Sequence, residues 1–424
     1  MKYKKYPSYK DSGVEWLGDI PEHWNQRKIK HFAQTIPGGT PSTTEPEYWD
    51  GDIPWLPSGA VQNCIINEDR VIKFITKKGL YSSATKYIKP NSTLIALTGA
   101  TCSNIGYLTF KSTANQSVVG IVTQKSTSDK YVFYSLISQK SQILVKRNGG
   151  AQAGINEQDV KDIFISYPPI HEQEQIADFL DKATAKIDTL IEKQTKQIEL
   201  LKEKRQAVIS HAVTKGINSN VSMKNSGVEW LGEIPEHWEV KKLKFVLQLL
   251  NKKEKIINQI VVALENIESW SGKYIESDSS YQGDDIAFCI GDILFGKLRP
   301  YLAKVFLCSF DGIAFGDLLA YRPIKDYASK YAFYSLISED FIKIVDSSTY
   351  GTKMPRASSE FLSEMRLTVP PLKEQQEIAN YLDEKTSKID ILIEKSKKSI
   401  ELLKEKRTAL ISACVTGKID VRNL

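Results

Sequence analysis

The sequence predicts a mixed α/β (α+β) fold in which two globular domains and two long helices are related by an internal pseudo-twofold duplication. Three observations predict it: an opening motif occurs twice, a long helical segment occurs twice, and β-rich stretches lie between them. A chain of 424 residues is long for one hydrophobic core, and 41% hydrophobic with 25% charged residues is typical of globular proteins rather than disordered ones. We therefore expect two domains built on one plan.

The repeated opening is the clearest sign of duplication. Lys10–Trp24 reads KDSGVEWLGDIPEHW and Lys224–Trp238 reads KNSGVEWLGEIPEHW, so only two positions differ. A second repeat pairs YVFYSLIS at 131–138 with YAFYSLIS at 331–338. Long matches in the same order along the chain indicate that each copy is one structural unit. The tryptophans of the two openings are expected to be core anchors: Trp16, Trp24, Trp230 and Trp238.

The second repeated element is a long helix. Residues 168–217 and 370–419 are identical at about 30 of 50 aligned positions. Pro168 and Pro169 disfavour a helix before them, and the segment then has neither glycine nor proline up to Lys215. The pattern predicts one helix of about 45 residues and about 65 Å in each copy. The predicted boundaries are 1–167 for the first domain, 168–217 for the first long helix, 218–369 for the second domain and 370–424 for the second helix with its tail.

The interiors of the two copies are β-rich and unlike each other. Short β-prone runs bounded by Gly, Pro, Ser and Asn predict mixed α/β domains, and they are Thr93–Leu97, Val118–Val122, Ile260–Leu264 and Asp292–Phe295. Residues 25–130 and 239–330 align poorly and differ in length. A shared frame around different interiors suggests one kind of task performed on two different targets.

Each long helix carries a seam of apolar residues at mostly seven-residue spacing. The residues predicted to pair the helices are Ile187, Leu190, Ile191, Ile198 and Leu201 in the first helix, and Ile389, Leu392, Ile393, Ile400 and Leu403 in the second. We expect the seams to form an antiparallel coiled coil, because a duplication then creates a pseudo-twofold axis with one domain at each end. The alternative is that each seam packs only on its own domain. The KEKR runs at 202–205 and 404–407 are interpreted as solvated helix faces.

Signals for catalysis are weak throughout the chain. Five cysteines form no CxxC pair, and the five histidines show no metal-ligand spacing, so we expect reduced thiols and no metal site. The GDILFGKL segment at 291–298 resembles a phosphate loop but lacks its Ser or Thr, and Arg299-Pro300 follows where a helix should begin. Without a nucleophile, metal site or cofactor loop, the chain is predicted to be non-catalytic and to bind no cofactor. No apolar run of membrane-spanning length occurs, so we expect a cytoplasmic protein with no membrane partner.

Basic residues next to glycines are the candidate contacts to nucleic acid. Arg, Lys and Gln side chains can read base edges or hold phosphates, and glycine lets the backbone approach closely. The candidates are Lys146, Arg147 and Gln152 before the first long helix, Lys353 and Arg356 before the second, and Lys297 and Arg299 beside Tyr301. An ordinary exposed basic loop remains the alternative for each of them. The net charge of +6 permits an anionic partner without demanding one.

Taken together, these motifs resemble the specificity subunits of type I restriction-modification systems. The resemblance rests on SGVEWLGxIPxHW, GGTPS and Trp-Leu-Pro in the first copy, PPxxEQxxIAxxLDxxTxKID, and ELLKEKR, in twofold order over nearly the whole chain. It implies two target-recognition domains that read the halves of a split double-stranded DNA site, with paired helices setting their separation.

The resemblance also implies partner subunits. These are two modification subunits that bind S-adenosylmethionine (AdoMet) and methylate adenine, and restriction subunits that use ATP and Mg to translocate and cut. Two other interpretations stay open from the residues alone: a self-contained methyltransferase or nuclease, and a coiled-coil adaptor or scaffold without DNA specificity.

Overall fold

The computed structural model describes residues 3–145, 153–255, 259–277, 281–349 and 353–422. Its tertiary contacts divide the chain into two compact units. Unit 1 comprises Met1–Lys193 with Ser399–Leu424, and unit 2 comprises Gln194–Lys398. The predicted boundaries separate domains from helices, whereas each compact unit combines one globular domain with part of both long helices.

Unit 1 contains twelve described strands and four short helices joined by loops and 3₁₀ turns. The strands are β1 (Tyr9–Asp11), β2 (Asp19–Pro21), β3 (Asn25–Lys28), β4 (Ala33–Pro37), β5 (Trp49–Leu56), β6 (Cys64–Ile66), β7 (Phe74–Ile75), β8 (Ser92–Ala96), β9 (Ile105–Leu108), β10 (Thr113–Ala114), β11 (Val118–Thr123) and β12 (Phe164–Tyr167). The helices are α1 (Lys77–Tyr81), α2 (Asp129–Ser138), α3 (Lys140–Val145) and α4 (Glu157–Lys161). The first long helix, α5 (Ile170–Lys215), begins in this unit.

Two sheets form the body of unit 1. A five-stranded sheet has the order β4-β11-β8-β9-β6 and is antiparallel except for the β6–β9 pair, and a three-stranded sheet has the order β10-β5-β7. The hairpin β1-β2 carries the opening motif, and β3 pairs with β12 just before α5. One face of the large sheet packs on α2 and on the long-helix segments, so most of β8 and β11 is buried.

Unit 2 repeats this frame with a different periphery. Its strands are β13 (Met223–Asn225), β14 (Glu233–Pro235), β15 (Glu239–Lys242), β16 (Leu247–Leu249), β17 (Lys253–Lys255), β18 (Val261–Val262), β19 (Asp284–Phe288), β20 (Ile293–Gly296), β21 (Val305–Leu307), β22 (Gly312–Ala314), β23 (Leu318–Pro323) and β24 (Arg366–Val369). Its helices are α6 (Ser329–Ile337), α7 (Glu339–Ser347), α8 (Ser359–Glu364) and the second long helix α9 (Leu372–Val415). The sheets have the orders β16-β23-β20-β21 and β17-β19-β22-β18.

The predicted strands occur close to their expected positions, with one difference. The expected runs beginning at Thr93, Val118 and Asp292 correspond to β8, β11 and β20. The run from Ile260 to Leu264 is a strand only at β18, because the Asn266 side chain accepts a hydrogen bond from the Ala263 N–H and begins a 3₁₀ turn.

Both predicted long helices are confirmed. The first has 46 residues and the second has 44, and each begins just after its Pro-Pro pair. In unit 1, Arg422 lies 3.8 Å from Glu172 and Arg407 lies 2.9 Å from Asp188. Residue numbers therefore fall along one segment as they rise along the other, so the two segments are antiparallel. In unit 2, the Arg205–Asp390 pair at 3.0 Å and the proximity of Gly216 to Glu374 give the same direction.

The packed faces of the helices include most of the predicted seam. Ile187, Ile389 and Ile393 are buried, and a second group is half-buried: Ile191, Ile198, Leu201, Ile400 and Leu403. The prediction is wrong for Leu190 and Leu392, whose side chains are 47% and 44% exposed. Leu190 and Leu392 lie three residues after a buried isoleucine, whereas Ile191 and Ile393 lie four residues after it. At 3.6 residues per turn, only the fourth position returns to the buried face of these helices.

Two further details correct the expectations from sequence. Arg205 of the first KEKR run is only 8% exposed, so this arginine does not lie on a solvated face. Trp24 and Trp238 are completely buried as predicted, whereas Trp16 and Trp230 are only half-buried. The latter two lie in the turns of the repeated hairpins, where one side of the indole meets solvent.

Candidate nucleic-acid interface

In unit 2, the main-chain ladder at the end of β20 joins two of the predicted basic clusters. The Lys297 N–H donates to the Asp317 carbonyl at 2.9 Å, and the Lys297 carbonyl accepts from Ala357 at 2.8 Å. Leu298 and Arg356 form an isolated antiparallel bridge. Residues 297–299, 315–317 and 355–357 therefore form one edge of the unit, which we call the unit 2 edge.

One carboxylate organises two of the cations at this edge. Asp317 lies 3.7 Å from the Lys297 ammonium and 3.1 Å from the Arg356 guanidinium. Arg356 remains more than half exposed and Lys353 is exposed, so the surface stays positively charged. A salt-bridged arginine has a restricted orientation, which favours directional hydrogen bonding to a ligand. The unit 2 edge can therefore present ordered donors to an anionic or acceptor-rich surface.

Arg299 stands at the turn that follows β20. Its backbone is left-handed, with φ 51° and ψ 64°, and its side chain is exposed beside the half-exposed Tyr301. The Arg299 N–H donates to the Pro355 carbonyl at 2.8 Å, and the Arg299 carbonyl accepts from Leu302 at 2.9 Å. Both backbone groups are thus fixed, while the guanidinium extends from the turn.

Unit 1 has the same edge with uncharged side chains. Leu97 donates to the Ser117 carbonyl at 2.8 Å and accepts from Ile155 at 2.9 Å, and Thr98 bridges to Gly154. The Thr98 hydroxyl donates to the Ser117 hydroxyl at 2.9 Å. These residues, 97–99 with 115–117 and 153–155, form the unit 1 edge. Lys146, Arg147 and Gln152, which were predicted to contact nucleic acid, lie outside the described residues.

The GGTPS segment lies on the unit 1 edge. Gly39 donates to the Ala114 carbonyl at 2.8 Å, and a Cβ at Gly38 would lie 2.1 Å from the Asn115 carbonyl oxygen. Only glycine permits this approach, and it brings Thr40 within hydrogen-bond reach of the exposed Gln116 amide. The loop therefore presents a hydroxyl and an amide side by side at the edge.

A basic and aromatic segment of unit 1 was missed by the sequence reasoning. Residues 70–89 contain six Lys or Arg and no Asp or Glu, and Tyr81 is 82% exposed. Lys111 covers the ring of Tyr87 at 3.8 Å, and Lys73 lies 6.0 Å from the Trp55 ring. Basic residues interleaved with aromatic ones are typical of nucleic-acid surfaces. The signal that could have found this segment is its local charge, which the modest net charge of the whole chain hides.

Buried polar contacts join each domain to its long-helix segments. Gln173 of the PPxxEQ motif is fully buried, accepts from the Ser128 N–H at 3.0 Å and donates to the Pro168 carbonyl at 2.8 Å. Gln375 makes the equivalent bonds in unit 2. The repeated histidines contact glutamates in the first turn of the long helices, with His23 Nε2 2.9 Å from Glu172 and His237 Nε2 2.8 Å from Glu374. The duplicated motifs thus have structural roles in setting the direction of the helices.

Buried tyrosines add a second joint. The Tyr131 hydroxyl donates to the Val415 carbonyl at 3.2 Å in unit 1, and the Tyr331 hydroxyl donates to the Val213 carbonyl at 3.1 Å in unit 2. Burial raises the pKa of both phenols well above the ordinary value, so they stay neutral donors across the physiological range.

Within the described ranges, no group of three or more His, Cys, Asp or Glu side chains has the geometry of a metal site. None of the described helices is long and apolar enough to span a membrane. The GDILFGKL segment forms β20 and the unit 2 edge, and a 3₁₀ turn follows it instead of the helix that a phosphate loop requires.

A family model of type I restriction modification DNA specificity domains matches residues 21–200 and 235–402, which is most of the chain and one match per copy. The chain belongs to this family. It is 27% identical over 425 residues to the type I restriction enzyme MjaVIII specificity subunit of Methanocaldococcus jannaschii, covering 96% of this chain and 95% of that one. It is 24% identical to the EcoDI specificity subunit of Escherichia coli, covering 69% and 70% of the two chains.

Solved structures share the fold. A chain from a study of complex assembly and conformational transition in a type I R-M system superposes with a TM-score of 0.70 at 13% identity, covering 93% of this chain and 98% of that one. The HsdS subunit of Thermoanaerobacter tengcongensis gives a TM-score of 0.52 at 13% identity, covering 94% and 98%. The predicted fold class and the predicted family are therefore confirmed, and this specificity subunit is a non-catalytic component.

Proposed function

We propose that this specificity subunit reads a bipartite, asymmetric site in double-stranded DNA, one half with each recognition domain, and so directs adenine methylation by partner subunits. The observation that carries the proposal is the pair of equivalent edges. They have the same main-chain hydrogen bonds but different side chains: Thr98 and Ser117 in unit 1, Leu298 and Asp317 in unit 2. Two domains with the same backbone and different side chains can dock on DNA in the same way and read different base sequences.

The assignment of contacts follows from the chemistry of each edge. In unit 2, the proposed contacts are Lys297, Arg299, Lys353 and Arg356, whose cationic donors suit phosphates and the acceptor edge of guanine. In unit 1, the Thr40 hydroxyl and the Gln116 amide suit base edges. The basic segment at 70–89 supplies the charge that the unit 1 edge lacks. Lys146, Arg147 and Gln152 remain predicted contacts on the basis of their sequence alone.

The partners are proposed from the family and from the helix surfaces. Exposed apolar side chains lie on both long helices: Leu190, Leu200, Ile391, Leu392 and Leu402. Large exposed aliphatic residues on a helix are suited to a partner helix. We assign the exposed apolar faces of the helices to two modification subunits, which would hold AdoMet, while restriction subunits would use ATP and Mg. The complex would act on DNA in the cytoplasm.

The experiment is single-molecule sequencing of adenine methylation in DNA exposed to this chain co-expressed with its modification subunit. We expect one bipartite asymmetric motif, absent when the chain is omitted. An assembled complex with an active modification subunit and no motif would contradict the proposal and favour the adaptor alternative. Methyl transfer by the chain alone would instead favour a self-contained enzyme.

A further inference from the structure

Arg299 occupies a backbone position that favours glycine. The equivalent residue of unit 1, on the same bridge between the two edge segments, is Gly99, with φ 67°. A side chain in the left-handed region is energetically unfavourable for residues other than glycine, Asn and Asp. The copy that carries arginine therefore tolerates strain that the other copy avoids. Such an outlier at a surface edge points to a role for the side chain rather than for the turn.

The backbone of Arg299 is held in place by its surroundings. Its N–H and carbonyl are both hydrogen-bonded within unit 2, and Pro300, which follows, is buried. Within the residues that the structure describes, its guanidinium has no hydrogen-bond or ion-pair partner, unlike those of Arg322 and Arg356. Arg299 is therefore a cation of the unit 2 edge whose backbone is fixed and whose guanidinium can bind a ligand.

We propose that Arg299 is the guanine-reading residue of the second recognition domain. This inference rests on the proposed function and names the determinant of one base pair. A planar guanidinium donates two parallel hydrogen bonds to the O6 and N7 acceptors of guanine in the major groove, a pattern that no other base presents there. Lys297 and Arg356, which both pair with Asp317, flank this contact and hold the edge against the phosphates of the DNA.

The alternative contact for an exposed arginine is a phosphate, and the two have different signatures. A base contact discriminates at one position, so its loss relaxes that position alone. A phosphate contact carries no sequence information, so its loss weakens methylation of all sites equally and lowers the salt dependence of binding. The motif of a variant therefore separates the two directly.

The test uses Arg299→Gly and Arg299→Ala in the full chain with its modification subunit, and methylation of a DNA library randomised across the recognised positions. Glycine suits the left-handed backbone, so Arg299→Gly should fold with a thermal midpoint at or above that of the parent, whereas Arg299→Ala retains the strain. We expect both variants to lose discrimination by about tenfold or more at one G·C pair of one half-site, with the other half unchanged.

Two controls fix the interpretation. Gln116→Ala in unit 1 should alter only the opposite half-site, which identifies the half read by each domain. Lys353→Ala, an exposed cation next to the unit 2 edge, should lower methylation without changing the motif. An unchanged motif in both Arg299 variants, a uniform loss at every position, or a parent half-site without a G·C pair would overturn the inference. A parent complex that yields no bipartite motif would instead be a failure of the proposed function.

Discussion

At the scale of single residues, the two copies differ where function is expected and agree where structure is required. Trp24 and Trp238 are both completely buried, and Gln173 and Gln375 make equivalent bonds. In contrast, the edge of unit 1 has only uncharged residues, whereas the edge of unit 2 carries Lys297, Arg299, Asp317 and Arg356. A buried residue must fit its neighbours, whereas an exposed edge residue has only its ligand to satisfy.

The basic segment at 70–89 leads to a prediction about charge. Lys77 and Lys89 are exposed, and replacing both by alanine removes two cations from the proposed DNA surface of unit 1. Because each neutralised phosphate contributes about 0.9 to the slope of log K against log salt, we expect the slope to fall by about two. The measurement is DNA binding by the assembled complex from low to physiological salt.

A matched control for this charge prediction lies on the second long helix. Lys395→Ala with Lys398→Ala removes two exposed cations from that helix and should leave the slope unchanged. The methylation motif should be the same for all variants, since phosphate contacts carry no base information. A changed motif with an unchanged slope would show that the segment reads bases instead of phosphates.

At the scale of secondary-structure elements, the joint between each domain and its long helix depends on buried polar groups. Gln375 is completely buried, and its amide links the Ala328 N–H to the Pro370 carbonyl. Alanine at this position leaves both main-chain groups without their partner inside the protein. Losing such bonds usually costs about 1–3 kcal/mol for each unsatisfied group.

We therefore expect Gln375→Ala to lower the free energy of unfolding of the chain by about 2–4 kcal/mol. The measurement is chemical denaturation followed by circular dichroism. Gln376→Ala, the adjacent exposed residue in the same helical turn, is the control and should change stability by less than about 0.5 kcal/mol. Equal effects of the two substitutions would contradict the proposed joint.

The helix arginines give a second comparison between equivalent positions. Arg205 is 8% exposed and donates to Asp390 at 3.0 Å and to the Trp270 carbonyl at 2.9 Å. Arg407 pairs with Asp188 in unit 1, but these side chains are 22% and 51% exposed. A buried ion pair leaves an uncompensated charge when it is broken, whereas an exposed pair is screened by water.

We expect Arg205→Ala to destabilise the chain by about 3–4 kcal/mol and Arg407→Ala by about 1 kcal/mol or less. Denaturation curves of the two variants measure the difference in the free energy of unfolding. The loss caused by Arg407→Ala should shrink more on addition of salt than the loss caused by Arg205→Ala, because salt screens an exposed pair more than a buried one. If Arg407→Ala were the more damaging substitution, burial would not be what distinguishes the two ion pairs.

At the scale of the whole molecule, we propose that the length of the long helices sets the separation of the half-sites. Lengthening both long helices by four residues adds about 6 Å, because an α-helix rises about 1.5 Å per residue. With DNA rising about 3.4 Å per base pair, the preferred spacer should increase by about one or two pairs. We would insert the residues after Lys193 and after Lys398, where the compact units divide the helices.

The measurement is the methylation motif of the lengthened chain. Both half-sites should keep their bases while the spacer between them grows. Four residues inserted after Asn220, in the exposed link between α5 and β13, lengthen the chain but neither helix and serve as the control. An unchanged spacer in the helix variant would refute the role of the helices in setting the separation.

The sequence by itself determined the duplication, the mixed α/β fold class, the two long helices and the family. These features depend on periodicity, proline positions and repeated motifs, which are local or directly comparable along one chain. It also identified Lys297, Arg299 and Arg356 as candidates, because basic residues beside tight turns are recognisable without a fold. Local charge could have identified residues 70–89 as well.

Only the tertiary structure decided which of these residues share a surface. Arg299 and Arg356 are far apart in the sequence, and the ladder around β20 brings their segments together. The burial of Arg205 and the left-handed backbone of Arg299 also depend on neighbours from distant segments. Non-local packing fixes these properties, because a residue's burial and backbone strain are set by what contacts it and not by the residues beside it in the chain.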